Sequence, residues 1–345
     1  MNTIVDRLLS IRSLGYLTEE AQFLSLVAGH SGYFVPRQFD AAIQVRHGKR
    51  TTVFLEKLVS RGHVRRYIFE HNRHVYHVQY KPFYQAIGDP DSRNRREHQP
   101  QTIKARLMAL DYVLANPDNT YLDTEHQKVS LLKELHGIAP AVMPCKRYGR
   151  QASASVGRCF VDRFPIYVRH GSDGSPNRFT FTFIDSGFDT MSAFTTHLRR
   201  YKPLFEALRE FDLVYVGTDR SQFGEAESTF QRLLSRDVGR PLSAHDIDRL
   251  LVYFHDRDLF ERGESRVLSR ERMDLLRDAW DEFGSPFHEG LFGRWKQEGD
   301  LAVRSDLQVK MTCNGRFLRH ILPFNYDYFG SIDAPSSSLQ LAGAR

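Results

Sequence analysis

Two acidic residues and a lysine in the middle of the chain are of the types that a metal-dependent nuclease uses. Asp162 lies in one predicted strand, Asp185 ends the next strand, and Lys202 follows on a predicted helix. Such an enzyme needs two carboxylates that converge on Mg²⁺ and a lysine that steadies the attacking water. In the restriction-endonuclease-like fold this lysine comes two residues after the second acidic residue, where the chain has Gly187.

The glycine at that position favours a nuclease-like α/β domain that has lost its catalytic activity. A Mg²⁺-dependent DNA endonuclease that uses Asp162 and Asp185 remains an alternative, as does a different kind of α/β domain. Only the endonuclease would need a cofactor, which is Mg²⁺. The sequence has no P-loop, GxSxG, HExxH or strand-linked GxGxxG motif. Nucleotide-driven or serine-hydrolase chemistry and a small-molecule substrate are therefore not predicted.

Three histidines near the amino end also have the chemistry of metal ligands. His71, His74 and His77 fall on a predicted hairpin. Side chains alternate between the two sides of a strand, so the second histidine faces away from the other two. One ion could not collect all three, and we predict no metal site there.

Basic residues are concentrated in one stretch of the chain. From Arg46 to Arg106 there are 14 Lys and Arg against five Asp and Glu, a local net charge of +9, whereas the remainder carries −3. A local basic surface suits a polyanion, because neutralised phosphates release their condensed counterions. The stretch therefore predicts binding to double-stranded DNA. A solvated surface without a partner is the alternative.

The same region has the pattern of a winged helix-turn-helix within residues 1–88. Three helices are predicted between Thr18 and Arg61, and a hairpin follows from Val64 to Tyr80. In the third helix, Leu55, Leu58 and Val59 would face the core and leave a basic N-terminal surface for the major groove. The predicted DNA contacts are Arg46, His47, Lys49, Arg50, Thr52, Lys57, Arg65, Arg66, Arg73, Arg95 and Arg96.

Different roles are predicted within this set. The third helix would read the groove, and the basic residues of the hairpin would hold phosphates. Arg95 and Arg96 either follow the phosphate backbone or belong to a solvated linker. A winged helix can also bind protein, so an interaction adaptor is a further alternative to DNA binding.

The remaining sequence predicts an α+β protein with four further regions. They are a helical connector (89–154), a nuclease-like α/β domain with a parallel crossover (155–240), a C-terminal extension of helices and a hairpin turning at Asn314-Gly315 (241–332), and a disordered tail (333–345).

Two features within these regions, an apolar helical stripe and a strand, give specific predictions. In the connector, the apolar stripe that includes Ile103 and Leu107 packs either within the chain or across a homodimer. In the α/β domain a strand is predicted over 158–169.

Composition restricts the location of the protein. No apolar run has the ~18–20 residues that span a membrane, and the first residues lack the apolar core of a signal peptide. The three cysteines, Cys145, Cys159 and Cys313, are scattered, which predicts no disulfide and no structural zinc. Together these features predict a cytoplasmic protein.

Three segments resemble a known family. They are FLEKLVSRGHVRR (54–66), FTFIDSGFDTMSAFTTHLRRYKPLFEAL (181–208) and LVYVGTD (213–219). They are similar to the replication-relaxation family of plasmid and mobile-element proteins, which implies a winged helix joined to a nuclease-like domain. The family's usual glutamate is missing, since Thr182, Phe183 and Ile184 precede Asp185. The resemblance implies a sequence-specific DNA-binding protein that regulates transcription or acts in replication or transfer of a mobile element.

Overall fold

The computed structural model has a mixed α+β fold. It describes residues 4–69, 73–148, 156–169, 178–188, 190–208, 210–234, 244–264, 266, 268–284, 286–308, 314–329 and 340–341. The predicted hairpin tip at 70–72, the turn at 171–177 and most of the tail lie outside these residues, as does Cys313. In the described ranges no helix is long and apolar enough to cross a membrane.

The amino-terminal module (residues 4–88) combines short helices with a small antiparallel sheet. In chain order its elements are α1 (Ile4–Arg12), α2 (Thr18–His30), β1 (Tyr33–Phe34), α3 (Pro36–Ala42), α4 (Lys49–Ser60), β2 (Val64–Phe69), β3 (Arg73–Val78) and α5 (Lys81–Ala86). These strands pair in the order β1-β3-β2, and a fourth strand from the end of the chain lies beside β2. The three predicted helices and the hairpin are confirmed as elements.

Local sequence signals set the limits of these helices. Pro36 occupies the first turn of α3, where its missing N–H has no helical partner to lose. Gly62, with φ +65°, follows the end of α4 and turns the chain into β2. The module is held by aromatic rings from several elements, among them Phe39 stacked on Phe54 at 4.0 Å between ring centroids.

The rest of the chain forms a larger sheet with helices around it, a separate two-stranded sheet, and a strand that joins the small sheet. In chain order its elements are α6 (Pro100–Ala115), β4 (Thr120–Tyr121), α7 (Glu125–His136), β5 (Cys145–Tyr148), β6 (Val156–Cys159), β7 (Ile166–Arg169), β8 (Arg178–Ile184), α8 (Thr190–Leu208), β9 (Glu210–Gly217), α9 (Phe223–Leu234), α10 (Ala244–Glu261), α11 (Arg270–Phe283), α12 (Pro286–Glu298), α13 (Asp300–Gln308), β10 (Asn314–Ile321) and β11 (Gln340–Leu341). The two-stranded sheet consists of β5 and β6, and β11 is the strand that joins the small sheet.

The larger sheet is mixed and has the strand order β10-β9-β8-β7-β4. Strands β8, β9 and β10 are parallel, and β7 is antiparallel to both of its neighbours. Helix α8 makes the crossover from β8 to β9, so the predicted parallel crossover is confirmed. Phe179, Phe181 and Phe183 lie on one side of β8 and pack with α8 in the main core.

Two predicted β segments have a different structure. The strand expected over 158–169 is interrupted between β6 and β7, where Phe160 and Arg163 adopt positive φ angles (52° and 59°). No turn occurs at Asn314-Gly315, where the hairpin was expected to turn. Both residues belong to β10, which pairs with β9 along its whole length.

The helix α6 lies between the two parts of the protein. Ile103, Leu107 and Leu110 are buried, and the first two share a core with Tyr33 of β1 and Val214 of β9. The stripe therefore packs within the chain, and its alternative role as a dimer surface is wrong. Because α6 contacts both sheets through one core, residues 100–115 are an integral part of the fold rather than a linker.

The helices α10 to α13 form a helical insertion (residues 244–308) between α9 and β10. Leu250, Phe254 and Trp295 belong to a core of its own. After the insertion the chain returns to the larger sheet as β10, so this region is not a terminal extension. Residues 340–341 form β11 antiparallel to β2, which departs from the predicted disorder at these two positions.

Cys145 and Cys159 are joined by a disulfide between β5 and β6. The prediction of no disulfide is therefore wrong. The two cysteines are 14 residues apart, and only the antiparallel pairing of the strands brings them opposite each other. The scattered spacing thus gives no support to a reducing compartment, and the cytoplasmic location stays a prediction.

Candidate nucleic-acid interface

Helix α4 has one buried and one exposed side. Thr51, Phe54, Leu55 and Leu58 are buried in the core of the amino-terminal module. Val59, which was expected in the core, is 39% exposed because Phe54 and Thr51 take the inward positions instead. The exposed side begins at the first turn of the helix and carries Lys49, Arg50, Thr52, Val53 and Glu56.

The turn before α4 is fixed by one buried carboxylate. Asp40 of α3 accepts hydrogen bonds from the hydroxyl of Thr51 and from Nδ1 of His47, the latter at 2.9 Å. These bonds join α3, the turn and α4. His47 itself remains largely exposed, so the bond to Asp40 holds the imidazole ring in a solvent-facing position just before α4. His47 was predicted from the sequence, but Asp40 was not, because its partners lie seven and 11 residues further along the chain.

Two cations at the start of α4 are free to contact a ligand. Arg46 and Lys49 are exposed, and neither has a hydrogen bond or ion pair with any residue in the described part of the chain. Arg50 is also exposed and is paired with Glu19 of α2. We define the α4 surface as Arg46, His47, Lys49, Arg50 and Thr52.

The hairpin places its basic residues in three different environments. Arg65 is half-exposed and paired with Glu97. Arg66 is exposed on β2, directly opposite Tyr76 of β3. Arg73 is exposed at the start of β3, and its guanidinium lies over the ring of Tyr328 at 4.8 Å.

Two predicted DNA contacts are turned inward. Lys57 is half-buried, because it pairs with buried Glu20 of α2 and lies 5.0 Å from the centroid of the Tyr16 ring. Arg95 is half-buried and donates to the carbonyl oxygens of Pro90 and Gln79. Because partners elsewhere in the chain already hold both side chains, we leave Lys57 and Arg95 out of the candidate interface. Arg96, next to Arg95, is exposed.

The side chains predicted for a nuclease site already have partners within the protein. Asp162 lies in the turn before β7 and accepts a hydrogen bond from the hydroxyl of Tyr201 at 3.0 Å. Asp185 follows β8 and accepts bonds from the hydroxyl of Tyr215 (2.7 Å) and the backbone N–H of Gly187 (2.9 Å). Lys202 is paired with Glu206 on the same helix. No group of three His, Cys, Asp or Glu suited to a metal ion occurs among the described residues.

A different lysine lies close to the second acidic residue. Lys104 of α6 has its Nζ 3.8 Å from the position that a Cβ on Gly187 would occupy. Burial lowers the pKa of Lys104, and the carboxylates of Asp327 and Asp185 oppose that shift. Gly187 has φ +79°, so a lysine at that position would be strained. Lys104 could not be predicted from the local pattern, because it precedes Asp185 on another element.

His77 of β3 is buried and uses both ring nitrogens within the protein. Its Nε2–H donates to the carbonyl oxygen of Asn94 at 2.9 Å, and its Nδ1 accepts from the amide of Gln79 at 3.2 Å. The ring stacks on Tyr33 at 4.1 Å between centroids. His77 therefore fastens the hairpin to β1 and to the segment before α6. Burial lowers the pKa of His77 to about 4.

We expect acid to destabilise the fold through His77. Between pH 6.5 and pH 4 the unfolded chain binds a proton that the folded chain does not, so stability falls as the pH falls through this window. A shift of this size corresponds to about 3 kcal/mol in the free energy of unfolding. Urea unfolding of the wild type at pH 7 and pH 4 measures the total change. His77→Gln keeps an N–H donor for Asn94 and should lose less stability over the same interval; an equal loss in both proteins would contradict this assignment.

The arrangement of charge and exposure singles out the α4 surface and the neighbouring hairpin as the candidate interface. Its free cations are Arg46, which lies three residues before α4, and Lys49, the first residue of this helix, whose other side is fixed in the core. In comparisons with protein-family models, curated proteins and solved structures, the chain has no match.

Proposed function

We propose that the chain is a sequence-specific double-stranded-DNA-binding protein that uses its amino-terminal module as a winged helix-turn-helix. The observation that carries this proposal is the exposure of Arg46 and Lys49 at the start of α4, without partners among the described residues. A recognition helix contacts base edges with its N-terminal residues, and Arg and Lys suit guanine and phosphate. In this proposal the exposed hairpin residue Arg66 contacts the backbone beside the groove.

The order of elements supports this proposal. The sequence α2-β1-α3-α4-β2-β3 gives two helices joined by a turn, followed by a hairpin that extends a small sheet. Helix α4 is 12 residues long and has only its inner side in the core, which leaves the outer side for a groove. The amino-terminal location of the basic excess supports the same assignment.

The ion pairs of the interface are weak enough to be exchanged for DNA contacts. Arg50 and Glu19 are each about half exposed, as are Arg65 and Glu97. Exposed ion pairs contribute roughly 0.2–1 kcal/mol. A phosphate offers the same arginines a charged acceptor and also releases counterions. We therefore retain Arg50 and Arg65 as DNA contacts in the proposal.

Removing the competing carboxylate should strengthen DNA binding. Glu19→Gln frees Arg50 and takes one negative charge away from the α4 surface. We expect affinity for duplex DNA to rise about two- to fivefold at low salt, an effect that salt screens. Fluorescence anisotropy at two salt concentrations measures it. Asp274→Asn removes a carboxylate of an exposed pair in the helical insertion and should leave affinity unchanged. A Glu19→Gln variant that binds no better would remove Arg50 from the interface.

A selection from random duplexes tests the function itself. The full chain is incubated with a pool of random duplex DNA at two salt concentrations, and bound DNA is sequenced. An enriched motif at both concentrations supports sequence-specific binding. Binding without enrichment would leave only the salt-dependent, sequence-independent part of the proposal. An absence of binding would favour the alternative of a protein-interaction adaptor.

For the larger sheet we propose a nuclease-like domain without catalytic activity, which fits the resemblance to replication-relaxation proteins. The mixed sheet with a helical crossover supports this part, and so does the pairing of Asp162 and Asp185 with tyrosines. On this basis we propose a role in transcription regulation or in replication or transfer of a mobile element.

One observation favours a second function, a Mg²⁺-dependent endonuclease. It is the position of Lys104 beside Gly187, close to where the missing lysine of the nuclease pattern would be. Incubation of supercoiled plasmid with the protein and Mg²⁺ decides between the two. Nicking that disappears in Asp185→Asn would establish the enzyme, and intact plasmid would support the proposal of a binding domain.

A further inference from the structure

Three basic side chains are buried near one another where the amino-terminal module meets the larger sheet. Arg106 of α6 is 6% exposed, Lys128 of α7 is 4% exposed, and Arg163 lies in the turn before β7 with 11% of its side chain exposed. None of the three belongs to the α4 surface. Arg and Lys are almost never buried to this extent unless they are paired.

Their hydrogen-bond partners are few. Arg163 donates to the carboxylate of Asp89 at 3.0 Å and to the hydroxyl of Ser92 at 3.2 Å. The ammonium of Lys128 donates to the carbonyl oxygen of Phe164 at 3.3 Å. The guanidinium of Arg106 has no hydrogen bond or ion pair with any residue that the structure describes, and its Nη1 is fully buried. A guanidinium has five N–H donors, so the donors of Arg106 are left for something else.

The carboxylates nearby do not balance these charges. Asp89 is occupied by Arg163. Asp162 accepts from Tyr201, and its second oxygen lies 3.3 Å from Nδ1 of His197. Asp162 is thus the one carboxylate near both Arg106 and Lys128 that is not already paired with another Arg or Lys among the described residues. The three cations therefore outnumber the carboxylates around them, and a positive charge remains in excess in the interior at neutral pH.

The three cations act on one another. Burial and the charge of Arg163 lower the pKa of Arg106 to about 9, although Asp162 opposes the shift. Burial and the charges of Arg163 and Arg106 lower the pKa of Lys128 to about 8, again against Asp162. The charges are therefore close enough to repel one another in a poorly solvated region.

The backbone that brings this group together is strained. Phe160 and Arg163, which flank Asp162, are non-glycine residues in the left-handed region. Such residues persist where the surrounding structure requires them, and they cluster at functional sites. The turn at 160–163 places Asp162 and Arg163 in the interior, where Tyr201 and Asp89 hold them.

We propose that Arg106, Lys128 and Arg163 form an internal binding site for a tetrahedral oxyanion of the size of inorganic phosphate. An ion with several charged oxygens can accept hydrogen bonds from all three cations at once, whereas a single carboxylate has only two oxygens. Because the side chains are buried, the ligand is a small ion rather than a nucleotide. This inference does not depend on DNA binding, since none of its residues lies on the proposed interface.

Thermal unfolding of the full chain tests the site. Protein purified without phosphate is titrated with sodium phosphate, and sodium chloride keeps the ionic strength constant. We expect a saturable rise in melting temperature for the wild type, because a ligand that binds the folded state alone stabilises it. Arg106→Gln should abolish the rise, and Lys128→Gln should weaken it. Lys49→Gln, which alters the α4 surface instead, should keep it.

The remaining outcomes also decide the question. No saturable rise in the wild type, or the same rise in Arg106→Gln, would overturn the site. Adenosine monophosphate should not replace phosphate, and stabilisation by it through Arg106 would overturn the assignment to a small ion. If the variants do not fold, the wild type is prepared in phosphate, desalted and denatured. Release of roughly one phosphate per chain supports the site, and release of none rejects it.

Discussion

Replacing Arg46 and Lys49 together with glutamine should cost the largest share of DNA affinity. Both side chains are exposed at the start of α4 and lack partners in the described structure, so their loss removes no internal contact. A contact to a base edge by such a side chain contributes about 1–3 kcal/mol. The two effects should add, so for the pair we expect a loss of at least about 30-fold in affinity for the selected duplex. Anisotropy titrations measure the change.

A second double variant distinguishes direct contacts at the α4 surface from the general attraction of DNA to a positively charged protein. Arg262→Gln with Arg277→Gln removes the same charge from exposed positions of the helical insertion. We expect it to bind like the wild type. The salt dependence of the first double variant should become shallower, by about 0.9 in log affinity per log salt for each lost phosphate contact. Equal losses in the two double variants would mean that net charge, and not the α4 surface, determines binding.

Local signals predicted most elements of the amino-terminal module, although not the helix α5. The helices follow their apolar spacing, with Pro36 at one beginning and Gly62 after one end, and the hairpin follows two runs of β-prone residues. The strand β1 was missed because two residues give no periodic pattern. The sequence therefore predicted the elements that carry the α4 surface, and it selected Arg46 and Lys49 correctly as exposed residues.

Contacts between distant parts of the chain were not predictable from local patterns. Lys57 has the spacing of an outward residue, but Glu20, 37 residues earlier, draws it inward. Arg106 was counted with the basic stretch, yet it is buried at the junction with the larger sheet. A count of charges along the sequence cannot distinguish such buried basic residues from exposed ones. The same limitation applies to the disulfide and to the parallel pairing of β10.

The largest stability effect is expected at Asp212, a residue that the sequence analysis did not select. It is fully buried in β9, between two parallel neighbours. Arg178 of β8 donates to it at 2.7 Å, and Arg316 of β10 donates at 2.9 and 3.0 Å. One carboxylate thus connects three strands. Through Arg316 it also holds the strand that follows the helical insertion.

Asp212→Asn should therefore lower the free energy of unfolding by about 3 kcal/mol. The substitution preserves the shape of the side chain but leaves two guanidinium groups beside a neutral amide, and breaking a buried ion pair typically costs 3–5 kcal/mol. The lower value is expected because Arg316 is more than half exposed and can be solvated. Urea denaturation followed by circular dichroism measures the loss across the whole chain.

Glu227→Gln is the matched control, because it breaks an exposed ion pair, with Arg319 of the same strand β10, and should cost no more than about 1 kcal/mol. The two tryptophans, Trp280 and Trp295, both belong to the helical insertion, so their fluorescence follows that part separately. If Asp212 anchors β10 and with it the insertion, the urea midpoints of unfolding measured by fluorescence and by circular dichroism should fall together in Asp212→Asn. Equal costs for the two variants would show that Asp212 stabilises the sheet no more than a surface pair does.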